Sequence, residues 1–236
     1  MEGLIVVIIL LVLALIVYGW WAAEQRKKRL MAWAASKGLH YDSGKVRNLD
    51  DRFPEFDCLR RGSDRYADNV MQGAWGERRI LAFDYHYETT STDSKGRTQT
   101  HHHSFSAVIV RSDLPLRPLL IRPEGFFDKV GEFFGYDDID FESAEFSRRF
   151  YVKSPDRKWA YDVLHQRTME FLLQSPTFTL RFAPGAVIAY DSSDFSVSKF
   201  EAAAEVIRGV LDRLPEYIVR QQRGTGERDP TVETST

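Results

Sequence analysis

The side chains best suited to chemistry in this sequence are histidines and acidic residues near its middle. His101, His102 and His103 stand in a row, and His86 and Glu88 precede them by a short stretch. Imidazole nitrogen and carboxylate oxygen are ligands that Zn²⁺ accepts, and three such ligands leave a fourth position open for water. These residue types therefore indicate a metal site of the kind used by metal-dependent hydrolases and metal sensors.

The strand pattern around the histidines determines which of them can meet. The alternating segments RRILAFDYHYETT and HHHSFSAVIV flank a polar loop, which predicts a β-hairpin. If the loop closes near Gly96, His102 lies opposite Glu88. His86 then lies opposite Ser104, diagonally across from His102, and Asp84 lies further along the same face. Because successive side chains of a strand point to opposite faces, the three consecutive histidines cannot converge on one ion. The predicted metal ligands are His86, Glu88 and His102, with Asp84 as a further candidate.

The same hairpin has an interpretation without metal. Phe83, Tyr85 and Phe105 are predicted to face the core, so His86, Glu88 and His102 are expected on the opposite, solvent-facing side. Glu88 and His102 then form an attractive cross-strand pair whether or not an ion is bound. Both interpretations are open at this stage.

Motifs of other enzyme classes are missing from the sequence. It contains no GxxxxGK[ST] phosphate loop, no GxGxxG between a strand and a helix, and no GxSxG nucleophile turn. The single cysteine, Cys58, excludes an intramolecular disulfide and has no evident activating base nearby. We therefore expect no catalytic residues and no cofactor, although the metal hypothesis leaves an enzyme open. The net charge of -2 also argues against a nucleic-acid partner.

The N-terminal segment predicts a transmembrane anchor at residues 1–23. GLIVVIILLVLALIVYGWWAA carries no charge, and as a helix it is long enough to cross the ~30 Å hydrocarbon core of a bilayer. Trp20 and Trp21 stand where aromatic side chains favour the membrane interface. A cleaved signal peptide is the alternative, but the acidic flank and the long apolar stretch are atypical of one. We expect residues 4–23 to contact the lipid bilayer.

The basic run Arg26, Lys27, Lys28 and Arg29 follows the apolar segment, within a predicted juxtamembrane helix at 24–38. The positive-inside rule then places the N-terminus outside the cell membrane and the C-terminal domain in the cytoplasm. The same four side chains are candidates for binding anionic lipid headgroups, whereas a role as stop-transfer charges is the simpler alternative.

The rest of the chain predicts an α+β fold at 39–218, followed by a disordered tail at 219–236. A mainly antiparallel sheet, a β-meander, is expected to pack with two or three helices. The expected elements after the meander are a helix in GFFDKVGEFFG, a strand in FSRRFYVKS, one helix from Pro155 to Gln174, a hairpin turning at Pro184 and Gly185, and a final helix with a capping box of Ser198 and Glu201.

Several phrases resemble a family of bacterial single-pass membrane proteins. They include ADNVMQGAWGERRILAFDYHY and, as the signature, FESAEFSRRFYVKSPDRKWAYDVL. The resemblance extends from about Leu30 to Pro215. It implies a membrane-anchored cytoplasmic α+β domain of unknown function, with no catalytic residues to carry over.

These observations lead to a membrane-tethered, non-catalytic interaction or scaffold module as the expected function, with a membrane or cytoplasmic protein as its partner. One alternative is a metal-dependent hydrolase or metal sensor that uses His86, Glu88 and His102. The other is an anionic-lipid-binding module that acts through the basic run.

Overall fold

The computed structural model describes residues 2–124 and 138–224. The expected helix in GFFDKVGEFFG lies outside these residues. The helices are α1 (Glu2–Ser36), α2 (Leu49–Arg52), α3 (Ala144–Arg149), α4 (Arg157–Val163), α5 (Gln166–Gln174), α6 (Val197–Leu211) and α7 (Glu216–Gly224), with a 3₁₀ turn at Asp57–Arg60. The strands are β1 (His40–Asp42), β2 (Ser63–Trp75), β3 (Arg78–Thr92), β4 (Thr98–Arg111), β5 (Leu119–Pro123), β6 (Phe150–Lys153), β7 (Thr179–Ala183) and β8 (Ala186–Asp191).

The described strands form one antiparallel sheet in the order β1-β2-β3-β4-β8-β7-β5-β6. The first four are a meander, and the β7–β8 hairpin turns at Gly185, whose φ of 78° suits a type II turn. This arrangement, preceded by an apolar helix and packed with helices, confirms the expected α+β fold.

The larger of two cores lies between the sheet and the helices. The C-terminal part of α1 contributes Leu30, Trp33 and Ala34, and α6 contributes an apolar stripe that includes Phe200 and Ile207. Helix α6 begins because Ser196 Oγ accepts a hydrogen bond from the Lys199 backbone N–H. The cap is thus Ser196 rather than the expected Ser198.

A second core covers the opposite face of the meander. The segment between β1 and β2 brings Phe53, Phe56 and Leu59 against Phe83 and Tyr85. The expected core face is therefore buried, but the face expected to be solvent-facing is buried as well, against α1 and α6. Alternation along one strand did not reveal this second buried face, because the helices that cover it are distant in sequence.

The β3–β4 hairpin projects beyond its neighbours. The two strands pair from Ile80↔Val110 to Thr92↔Thr98, which confirms the predicted register. Pairing of β2 with β3 begins only at Ser63↔Glu88, and pairing of β4 with β8 ends at Ser106↔Asp191. Residues 89–101 thus form a two-stranded ribbon outside the eight-stranded sheet, and we call this segment the ribbon.

Three expectations about the C-terminal half need correction. FSRRFYVKS is not one strand, because Ser143 caps helix α3 and the strand begins only at Phe150. The helix expected from Pro155 is two helices, and the first is capped by Asp156, which accepts from the Trp159 N–H. The expected tail overlaps α7, which continues to Gly224, and its residues from 225 onward lie outside the described part.

Candidate functional site

The hairpin brings the three predicted metal ligands together at the base of the ribbon. His102 is the cross-strand partner of Glu88, and His86 precedes Glu88 by two residues on the same face. The Glu88 Oε1 atom lies 3.1 Å from His102 Nδ1 and 3.7 Å from His86 Nε2. One ligand atom from each of the three side chains falls within 4.8 Å of the others. We call these residues the histidine cluster.

Neighbouring groups hold two members of the cluster in place. The ring of His86 stacks on Tyr66 of β2, with centroids 4.8 Å apart. Gly62 approaches the backbone of Glu88 so closely that a Cβ atom there would lie 2.0 Å from the Glu88 carbonyl oxygen. His86 and Glu88 are half-buried, whereas His102 is exposed. The cluster is therefore fixed on its β3 side and open to solvent on its β4 side.

The other two histidines of the run lie on the opposite face of the hairpin. His103 stacks on Tyr87, with centroids 4.8 Å apart, and its Nε2 lies 2.8 Å from Thr89 Oγ1. His101 Nε2 lies 2.9 Å from Ser91 Oγ. The consecutive histidines therefore divide between two faces, as the alternation predicts.

Asp84 does not belong to the histidine cluster. It lies on the same face of β3, but its carboxylate accepts hydrogen bonds from Arg26 in α1, from Asn69 Nδ2 at 2.8 Å and from Ser106. These donors occupy both carboxylate oxygens. The structure therefore pairs Asp84 with Arg26 of α1 and does not bring it together with His86, Glu88 and His102.

Arg26 and Asp84 form the first part of a junction between α1 and the domain. The two terminal nitrogens of Arg26 lie 2.7 and 2.8 Å from the two oxygens of Asp84. Two nitrogens of Arg26 also donate to the carbonyl oxygen of Phe195, at 3.0 and 2.8 Å. Only 26% of the Arg26 side chain and 11% of the Asp84 side chain are exposed. Such bidentate, partly buried pairs have a fixed geometry as well as a favourable energy.

Trp33 forms the second part of the junction, about two turns further along α1. Its indole N–H donates to Glu201 Oε1 of α6 at 2.9 Å, and its ring packs against Trp75 and Phe200. Lys37 Nζ lies 3.1 Å from the same Glu201 oxygen. Both donors lower the pKa of Glu201. We call the contacts of Arg26, Leu30, Trp33 and Lys37 the anchor junction.

The anchor junction changes the interpretation of the basic run. Arg26 contacts the domain and is only partly accessible, whereas Lys28 and Arg29 are exposed and Lys27 is half-buried. The sequence presents these four residues as equivalent charges. The available signal was the spacing of Leu30, Trp33 and Ala34, an apolar stripe at helical period that follows the basic run directly.

Helix α1 is the one described helix that is long and apolar enough to cross a membrane. The apolar window lies within Gly3–Ser36, and none of it is buried inside the protein. Its large apolar side chains, from Leu4 to Trp21, are all exposed. An exposed apolar helix of this length fits a single-pass membrane protein.

Comparisons with known proteins support the fold. No protein-family model matches the chain, and no curated protein matches it. Among solved structures, the crystal structure of the mycobacterial trehalose monomycolate transport factor A, TtfA, aligns with a TM-score of 0.56 and 14% identity. The alignment covers 80% of this chain and 96% of that chain. At this identity the likeness establishes a shared fold and no more.

Proposed function

We propose that the protein is a non-catalytic scaffold or accessory factor that holds its α+β domain in a fixed position at the cytoplasmic face of the cell membrane for a membrane-embedded protein partner. The anchor junction is the observation that carries this proposal. A flexible Gly/Ser-rich linker would be enough to concentrate a domain near the membrane. Here α1 instead runs without interruption from Glu2 to Ser36 and ends inside the larger core.

A rigid connection favours a partner whose position relative to the bilayer is also fixed. Arg26 joins α1 to the sheet, and Trp33 joins α1 to α6. These two contacts oppose both rotation of α1 about its axis and tilt of α1 relative to the domain. An integral membrane protein has a binding surface at a constant height and orientation. The fit between a rigidly mounted domain and such a surface supports this class of partner.

The structural neighbour supports an accessory role by analogy of fold. TtfA is described as a transport factor, and it shares the fold over most of both chains. Because folds host many functions, the analogy suggests only the class of role, assistance to a membrane process. The cytoplasmic orientation is proposed from the basic run that follows the apolar segment.

The exposed members of the basic run add a lipid contact to this role. Lys28 and Arg29 are exposed on α1 and follow the apolar segment that ends at Ala23, a position from which basic side chains attract anionic headgroups when the segment spans a bilayer. They are expected to bind anionic headgroups while Arg26 remains on Asp84. Replacing both by glutamine should lower the share of anionic lipid that copurifies with the protein, and an unchanged share would refute the contact.

Photo-crosslinking in cells tests the scaffold proposal. A photoreactive residue at Arg29 should yield a covalent adduct with one membrane protein. Insertion of a short Gly-Ser segment after Ala23 preserves the anchor junction but separates it from the span, and should reduce the adduct at least fivefold. The same insertion after Glu2 is the control and should leave the adduct unchanged. Absence of any protein adduct, or equal adducts in both insertion variants, would contradict the proposal.

A further inference from the structure

We infer that His86, Glu88 and His102 form a Zn²⁺ site that clips the two strands of the ribbon together at its base. The donor set consists of two imidazoles and one carboxylate, all of which suit Zn²⁺. Ligand atoms of a tetrahedral zinc site with bonds of about 2.0 Å lie roughly 3.3 Å apart. The distances of 3.1 and 3.7 Å around Glu88 Oε1 bracket this value.

The remaining separation is within reach of small side-chain rotations. The rings of His86 and His102 have centroids 5.6 Å apart, and the three ligand atoms lie within 4.8 Å of one another. The strand register fixes the backbone positions, and Tyr66 and Gly62 restrain the β3 side. His102 is exposed, so its ring is free to rotate toward an ion. The site is therefore largely preformed.

The position of the cluster indicates what a bound ion would do. It lies where β2 stops pairing with β3, so everything beyond it is a two-stranded hairpin. Isolated two-stranded hairpins are only marginally stable in water. An ion bound by Glu88 of one strand and His102 of the other cross-links the ribbon at its base. Three protein ligands would leave a fourth coordination position for water or for a ligand from a partner.

Metal titration of the intact protein tests the site. The full chain, purified in detergent with an affinity tag that contains no histidine, is titrated with Zn²⁺, and bound metal is counted by elemental analysis. We expect a single Zn²⁺ per chain. The double variant His86→Ala/His102→Ala should weaken binding at least about 100-fold, since even loss of a supporting residue costs 10–100-fold.

The other face of the same hairpin offers a matched control. The double variant His101→Ala/His103→Ala also removes two imidazoles, both from β4 on the opposite face of the hairpin. It should keep the Zn²⁺ affinity of the unmodified protein. Equal loss in both double variants would show unspecific binding by histidines and would overturn the proposal. Absence of stoichiometric Zn²⁺ uptake by the unmodified chain would overturn it as well.

Hydrogen exchange separates a structural clip from simple adsorption of metal. Zn²⁺ should slow amide exchange in residues 89–101 of the unmodified chain and of the control variant. If the His86→Ala/His102→Ala chain fails to fold, Glu88→Gln serves instead, because it keeps the side-chain shape and removes the ligand charge. Exchange in the ribbon that is unaffected by Zn²⁺ in the unmodified chain would refute the clip.

Discussion

At the scale of single residues, Arg26 connects α1 with the sheet. Its guanidinium contacts both oxygens of the Asp84 carboxylate, and most of each side chain is buried. Removing one partner of a buried ion pair leaves the other charge without compensation, which destabilises proteins by about 3–5 kcal/mol. We therefore expect Arg26→Met to lower the free energy of unfolding by an amount at the low end of this range, since part of the pair is exposed.

Urea unfolding of the full chain in detergent, followed by tryptophan fluorescence, measures this loss. Lys28→Met is the control, because it removes a charge of the same sign from an exposed position of α1. Its effect should be below about 0.5 kcal/mol. Equal losses in the two variants would mean that Arg26 acts only as a surface charge.

Asp68 is expected to destabilise the fold at neutral pH. It lies opposite Asp84 in the sheet, and burial together with the Asp84 charge raises its pKa. The penalty for its charge is absent below its unfolded pKa of about 3.9, grows as the pH rises, and is complete above the folded pKa. Asp68→Asn should therefore raise the melting temperature at pH 7, and this advantage should vanish toward pH 3.

Asp64 has the opposite sign and provides the matched comparison. The ion pair with Arg47 lowers its pKa, so its charge favours the folded state. Asp64→Asn should lower the melting temperature at pH 7 and have no effect once the pH falls below the folded pKa. If both variants changed the melting temperature at pH 7 in the same direction, the opposite roles of the Asp68 and Asp64 charges would be contradicted.

Gly62 permits the close approach that positions Glu88. Its φ is 58°, and a Cβ atom would meet the backbone of Glu88. Gly62→Ala should therefore cost about 2–4 kcal/mol from backbone strain and steric overlap together. Gly76 has a similar φ of 61° but nothing within 4 Å of its Cβ position. Gly76→Ala should thus show the strain alone, about 1–2 kcal/mol. Thermal unfolding of both variants checks the difference.

The histidine cluster and the anchor junction differ in how far the sequence could predict them. The division of the histidines between two faces follows from alternation and hairpin closure, both of which are local, and the structure agrees pair by pair. The contact between Asp84 and Arg26 could not be predicted from such local patterns, because the two residues lie 58 positions apart in sequence. Contacts of this kind depend on the tertiary arrangement of α1, which no local pattern encodes.

At the scale of elements, α1 belongs to two environments. Its first part is long and apolar enough to cross a membrane, and its last part contributes Leu30, Trp33 and Ala34 to the larger core. The expected domain boundary at residue 39 separates these side chains from the core they complete. We therefore expect a fragment of residues 24–224 to fold cooperatively, and a fragment of residues 39–224 to lose the core contacts of α1 and to aggregate.

Size-exclusion chromatography and circular dichroism of the two fragments check this expectation. A fragment of residues 39–224 that is monomeric, and as stable as the longer one, would show that the end of α1 merely rests on the domain. The measurement is independent of the partner and of the metal.

Elements whose apolar residues follow one clear periodicity were predictable, and elements whose apolar residues fit both a helix and a strand were not. The meander and the β7–β8 hairpin alternate clearly, and α6 carries a single apolar stripe. The segment AEFSRRFY has apolar residues at spacings that suit both a helix and a strand. Hydrogen bonding of Ser143 to the Phe146 N–H decides for α3 before the strand begins at Phe150.

At the scale of the whole molecule, the proposed orientation is open to direct measurement. Cys58 is buried, so an introduced cysteine can be labelled selectively. Lys95→Cys, in the exposed loop at the tip of the ribbon, should react with a membrane-impermeant maleimide only after the cells are opened. Gly3→Cys should react in intact cells. The reverse pattern would place the domain on the outer side.

Under the proposed anchoring, the uninterrupted α1 couples the orientation of the domain to the tilt of the membrane span. Membrane spans tilt by about 20° on average, and their tilt follows the thickness of the surrounding hydrocarbon. Since α1 passes any such rotation to the sheet without a hinge, a change of about 20° displaces a surface 30 Å from the pivot by roughly 10 Å. Membrane regions of different thickness would then present the same domain at different angles, so that lipid composition alone can bring its surface into or out of reach of a neighbour.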